Sequence, residues 1–169
     1  MDFKEELTKE IKEATRKVLE DLFSNGEQFY YITLVTDGMA NTPCISGWSV
    51  EALHKENEDD QYYLKWSYAD SPYCCWKQEY YEKVEQMLIN RKYNDLEFDD
   101  EYKLRLSAME NAMIQLDAEG LFSVNQNRDD IIVLVEVMPP DYTNTERAYR
   151  MNSKESKIFN DWIEEASEE

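Results

Sequence analysis

The chain has 169 residues, of which 33 % are charged and 42 % hydrophobic, with four glycines and four prolines. That suits one globular, soluble domain with a core of useful size and argues against long linkers or disorder. The net charge of −19 disfavours direct binding to nucleic acid or to anionic membranes. It favours a basic partner, set against the plainer reading that many bacterial cytoplasmic proteins are simply acidic. The start, MDFKEELTKE, has no basic region followed by an apolar one, so no signal peptide is expected. The longest aliphatic run, IIVLV at 131–135, is too short to span a bilayer. Three cysteines, two of them adjacent, do not make a disulfide framework. The expectation is a cytoplasmic protein with reduced thiols.

In chain order, Phe3, Leu7, Ile11, Ala14, Val18 and Leu22 recur every three or four places and predict an amphipathic helix over about 2–24, stopped by Asn25-Gly26. QFYYITLVTDG, 28–38, is β-branched and aromatic, apolar on both faces, and ends in a turn signal. It reads as a central strand. A second strand is expected within 39–48, then a short helix over 48–58 capped by Ser49, then a solvated loop, ENEDDQ, at 56–61. QYYLKWSY, 61–68, alternates and reads as a third strand.

Ser71-Pro72 has the form of a helix entry. Tyr73, Trp76, Tyr80, Val84, Met87 and Leu88 then fall along one side of a helix running to about Arg91. KYNDLEFDDE, 92–101, is an acidic connector, and Asp99 or Asp100 caps a helix over 100–119 that ends at Gly120. DDIIVLVEVMPPD, 129–141, gives the last strand. Thr143-x-x-Glu146 and Asn152-x-x-Glu155 resemble capping boxes, the second opening a C-terminal helix at about 153–166. The order α-β-β-α-β-α-α-β-α has no regular βαβ repeat. It predicts a single α+β domain over 1–169, a mainly antiparallel central sheet with helices packed on it.

Candidate chemistry is sparse. Cys74 and Cys75 are neighbours, which on a helix point about 100° apart, and only Cys44 and His54 remain as partners. That is not a metal signature. The favoured reading packs one of the two inward among the rings and leaves the other partly exposed. Asp37 in Asp-Gly reads as a turn residue. No phosphate-binding glycine motif is present, and the paired carboxylates are what 37 acidic residues produce by chance. No catalytic residue, metal or cofactor is expected, and an enzyme of unrecognised type would rest on Asp37, Cys74 and His54.

The charge distribution says more. Residues 56–101 hold 13 acidic against 5 basic residues, together with ten Tyr, Trp and Phe rings. Acidic groups beside exposed rings suit a basic protein surface, because charge steers and rings anchor. The candidate binding residues are Glu56, Glu58, Asp59, Asp60, Tyr62, Trp66, Trp76, Asp95, Glu97, Asp99 and Asp100. The competing reading is a solvated face over an aromatic core.

FYYITLVTDG (29–38), the Trp66-Ser67 element and LDAEGLF (116–122) resemble the domain-of-unknown-function 4303 family through Phe29, Tyr30, Leu34, Thr36, Asp37, Trp66, Ser67, Glu119, Gly120 and Phe122. The resemblance covers most of the chain. It implies a bacterial protein built on a long N-terminal helix and a central strand, and it carries over no catalytic residues. By analogy, small acidic families of this kind resemble immunity or accessory proteins of contact-toxin systems. The leading expectation is therefore a non-catalytic cytoplasmic protein that binds a basic partner, with a toxin-neutralising immunity protein as its sharpest form. The alternative is a nucleic-acid mimic that occupies a DNA- or RNA-binding protein.

Overall fold

A computed structural model of the chain describes residues 2–91 and 97–169. The helices are α1 (Phe3–Phe23), α2 (Val50–Leu53), α3 (Glu58–Leu64), α4 (Glu82–Asn90), α5 (Phe98–Ala118), α6 (Tyr142–Met151) and α7 (Lys157–Ala166). The strands are β1 (Phe29–Asp37), β2 (Cys44–Ser49) and β3 (Ile132–Met138), in the order β2-β1-β3. β1 is central, as its two apolar faces predict. β2 pairs with it antiparallel, and β3 pairs with it parallel from Tyr31↔Ile132 to Asp37↔Met138. The sheet is thus mixed, not mainly antiparallel. The signal for this lies in IIVLV: a strand covered on both faces reads as a continuous apolar run, as parallel neighbours do.

One face of the sheet carries Ile32, Leu34, Val133, Val135 and Val137 and packs against the apolar sides of α1 and α5. α1 opens with a capping box between Asp2 and Glu5 and buries Leu7, Ile11, Val18, Leu19 and Leu22. Each such side chain contributes about 1.5–3 kcal/mol relative to exposure. The other face carries Tyr31, Trp48, Ile132 and Leu134 under Ala148, Phe159 and Trp162 of α6 and α7. A β-bulge between Phe29 and Tyr31 puts Tyr30 on this side as well, although strict alternation would send it to the opposite one.

With three strands, two edges must be closed. Along β3, Asn152 receives the Val133 N–H at 3.0 Å and donates to Val133 O at 2.8 Å. Arg147 Nε donates to Val135 O at 2.9 Å. Asn144 receives the Val137 N–H at 2.8 Å and donates to Val137 O at 3.2 Å. Along β2, residues 67–76 lie beside the strand. Trp48 Nε1 donates to Ser67 O and Ser46 Oγ to Tyr68 O, both at 2.7 Å. Ser71 Oγ donates to Gly47 O, and the Trp76 N–H reaches Ile45 O at 3.1 Å. Glycine is required at 47, since a Cβ there would meet the Tyr31 carbonyl oxygen and the Ile32 side chain.

Several predicted elements are corrected. Residues 61–68 are not a strand, and 56–61 is not simply a loop. α3 occupies 58–64 because Glu58, Asp59 and Asp60 fall in its first turn, where the helix dipole favours acids. Ser71-Pro72 does not open a helix. Residues 71–77 are turns, with Cys75 and Lys77 in the left-handed region at φ 49° and 50°, followed by a 3-10 turn at Gln78–Tyr81 and then α4. The Ser71 hydroxyl does cap locally, receiving the Tyr73 N–H at 2.9 Å. Ser49 caps a helix as expected, but α2 ends at Leu53 instead of 58. β2 starts at Cys44, not 39, because residues 39–42 fold back as a loop on the Asp37 carboxylate. The N-cap of α5 is Glu97, not Asp99 or Asp100. α6 and α7 are capped by Asp141 and Ser156. The Asn152 box fails because that side chain is committed to the edge of β3.

Asn144→Leu keeps the branched outline of the side chain but leaves the N–H and C=O of Val137 unpaired where water does not reach. The expected loss is about 2–4 kcal/mol, read from the urea midpoint. A loss below about 0.5 kcal/mol, the range of neutral surface changes, would contradict this role.

Candidate functional site

The predicted binding residues separate in space. Glu56, Glu58, Asp59, Asp60 and Tyr62 are exposed on and just before α3, and Tyr62 and Tyr63 are 68 % and 79 % exposed. The two tyrosine rings meet edge to face with centroids 5.5 Å apart. No residue of α3 is buried. A seven-residue helix has little stability of its own, so α3 is held at its C-terminal end. Tyr30 OH donates to Lys65 O at 2.7 Å, Trp66 Nε1 donates to Glu165 of α7 at 2.7 Å, and Lys65 Nζ pairs with the same carboxylate at 2.9 Å. Lys65, then Trp66, hold the Glu165 carboxyl below its ordinary value against a partial burial that raises it. Trp66 also stacks edge-on against Tyr30 and Tyr31. It is half-buried and joins α3 to the second core cluster, with Tyr62, Tyr63 and Glu165 around a shallow cavity of about 320 Å³.

Trp76 is elsewhere. Its ring packs against the first cluster and its Nε1 donates to Asp21 of α1 at 2.8 Å. Glu97, Asp99 and Asp100 are exposed at the start of α5, where Phe98 and Tyr102 stack. Tyr102 and Leu104 lean on the first cluster, whereas Leu64 and Trp66 lean on the second. The candidate acids that the structure describes therefore fall at two places, α3 and the start of α5. Asp95 lies outside the described residues.

A second candidate site is a cavity at the C-terminal ends of β1 and β3, the sheet's parallel pair. The cavity, of about 490 Å³, is lined by Thr36, Asp37, Cys44, Tyr68, Cys75 and Gln78, among others. Among the described residues, the buried Thr36 Oγ1 and Gln78 Oε1 have no hydrogen-bond partner. Asp37 is occupied. Its carboxylate accepts from the N–H groups of Met39 (2.9 Å) and Asn41 (3.0 Å) and from the Thr42 hydroxyl (3.0 Å), as a turn residue does. His54 is exposed at the end of α2, while Cys74 lies in the turn beside β2. Neither cysteine of the 74–75 pair packs fully inward: Cys74 is half-buried and Cys75 exposed, while Cys44 is the buried thiol. Among the described residues no group of three or more His, Cys, Asp or Glu is arranged to hold a metal ion, and no helix is long and apolar enough to cross a membrane.

The candidate residues read from the sequence omit Tyr63, which counts only among the ten rings of 56–101, together with Glu165, the approach of Cys44 to Cys75, and Glu136. The adjacency of Tyr62 and Tyr63 behind three acids was a usable signal for the first. The others depend on contacts between distant segments.

These features define an α+β domain with a mixed three-stranded sheet and one protruding acidic, tyrosine-bearing helix. The family described as "Domain of unknown function (DUF4303)" matches residues 11–153 of the 169, and the chain belongs to that family. No curated protein and no solved structure matches the chain significantly.

Glu136 provides a test of the second face. It is buried and accepts from Tyr31 OH at 2.8 Å. Burial pushes its carboxyl up from the ordinary 4.5, against the Tyr31 hydrogen bond and the Arg147 charge. The folded chain then holds a proton that the unfolded chain releases. This contribution is full below the unfolded value and is lost as pH rises through the folded one. Glu136→Gln keeps an acceptor and removes the ionisation. Its stability, relative to wild type, is expected to rise from acid to neutral pH in urea titrations. Parallel curves would show that Glu136 is not shifted.

Proposed function

We propose that this chain is a non-catalytic binding protein that takes a basic protein partner on the α3 face, and that a toxin-neutralising immunity protein is the narrowest form of that role. The observation that carries the reading is α3 itself. None of its residues is fully buried and only Leu64 leans on the core, while it begins with Glu58-Asp59-Asp60 and holds two largely exposed tyrosines outside both core clusters. Acids in a first turn are also explained by the helix dipole. Adjacent exposed rings are not, and aromatic residues are the usual anchors of protein interfaces. The net charge of −19 favours a basic partner approaching over long range. A cytoplasmic location belongs to the same proposal.

The test is affinity capture by the full chain from lysate of its source at low salt, eluted by a salt ramp and read by mass spectrometry. One basic protein released at intermediate salt is expected. Replacing Glu58, Asp59 and Asp60 by Gln, Asn and Asn should slow its association by about tenfold at low salt. Tyr62→Ala with Tyr63→Ala should speed dissociation by about tenfold or more. An affinity indifferent to salt and to the three neutralisations would refute the electrostatic part. A captured protein displaced by plain duplex DNA would favour nucleic-acid mimicry instead.

A further inference from the structure

The fold brings together thiols that the sequence keeps 31 positions apart. Cys44 Sγ and Cys75 Sγ are 2.6 Å apart, closer than unbonded heavy atoms rest, and Cys74 Sγ is 3.9 Å from Cys75 Sγ. The backbone on either side of the first pair is pinned. The Trp76 N–H donates to Ile45 O at 3.1 Å, and Gln78 Nε2 donates to Pro43 O at 3.1 Å. Cys75 itself adopts the left-handed region at φ 49°, which is uncommon outside glycine, asparagine and aspartate. Both sulfur-bearing residues line the 490 Å³ cavity at the end of the sheet, Cys75 exposed and Cys44 buried.

We propose that Cys75 and Cys44 form a redox modification site that reacts with low-molecular-weight disulfides to give an intramolecular Cys44–Cys75 disulfide. The Cys75 thiolate attacks one sulfur of R–S–S–R. That S–S bond breaks, one RS⁻ leaves, and a mixed disulfide remains on Cys75. The Cys44 thiol gives up its proton and attacks Cys75 Sγ, forming the internal bond and expelling the second RS⁻. The protons lost by the two protein thiols go to the two leaving thiolates. Two cysteines are oxidised and one R–S–S–R is reduced to two RSH.

The roles follow from accessibility. Burial pushes the Cys44 thiol up, so it resolves an existing mixed disulfide instead of starting the exchange. Burial and the neighbouring Cys75 push Cys74 up to about 11, which leaves it mainly a thiol at neutral pH. The product would tie residues 67–76 covalently to the edge strand they cover, and would enclose α2 and α3 in the closed loop.

The test uses the full chain and oxidised glutathione, followed by alkylation of remaining thiols and mass spectrometry. Wild type is expected to lose two hydrogens and keep one alkylatable cysteine. Cys74→Ser should form the same internal link and keep none. Cys44→Ser should accumulate one glutathione adduct at Cys75 with no internal link. An internal disulfide in Cys75→Ser would overturn the proposal. So would wild-type protein that carries glutathione on Cys75 without closing the ring. Should Cys44→Ser not fold, wild type and Cys74→Ser decide the matter alone.

Discussion

A sheet of three strands has one interior strand and two edges, and closing those edges shapes the rest of this molecule. Buried backbone groups left without partners cost about 1–3 kcal/mol each, and an open edge invites pairing with another chain. Here side chains close β3. From one helix and its end, Asn152 and Asn144 pair both backbone groups of Val133 and Val137, and Arg147 donates to the Val135 carbonyl between them. The β2 edge is closed by a chain segment that is neither strand nor helix, anchored through Ser46, Trp48, Ser71 and the Trp76 amide. That segment dictates what surrounds it. At its start it leaves α3 standing outward, attached by Lys65 and Trp66. At its end it presents Cys75 to Cys44 and leads through a 3-10 turn into α4.

The acidic helix and the thiol pair are thus two consequences of one structural need. α3 is a part of the 50–81 excursion that the core uses only through Leu64 at its C-terminal end. This is why a short helix with no buried residue persists there and why its tyrosines remain at the surface. The thiols meet because covering β2 requires residues 75–76 to lie against residues 44–45. A disulfide at that point would reinforce a contact already made by hydrogen bonds.

Elements with a long period and a two-sided apolar pattern were legible in the sequence. α1, β1, α5 and β3 could be read from the spacing of Leu, Ile, Val and Met, because burial there follows the local period. The middle of the chain was not, for identifiable reasons. QYYLKWSY alternates like a strand, but three acids ahead of it favour a helix start and Trp66 is drawn to α7. Tyr73 and Trp76 have helical spacing, yet they meet through a turn in which Cys75 and Lys77 take left-handed conformations that no residue preference announces. Asn152 looks like a helix cap and serves β3 instead. The candidate site was legible to the same degree. The clustering of acids and rings in 56–101 could be seen, but its division between α3 and the start of α5 could not, since it depends on which face of the sheet each helix leans on.

The most direct test of this account is residue-resolved amide exchange on the intact chain. Closed edges predict that the amides of Val133 and Val137 exchange on the timescale of interior residues such as Ile32 and Leu34. The Trp76 amide should be protected too, although it lies in a turn. Exchange of these three amides at the rate of exposed loops, with β1 still protected, would mean that the edges are open and that the positions of α3 and the thiols need another explanation.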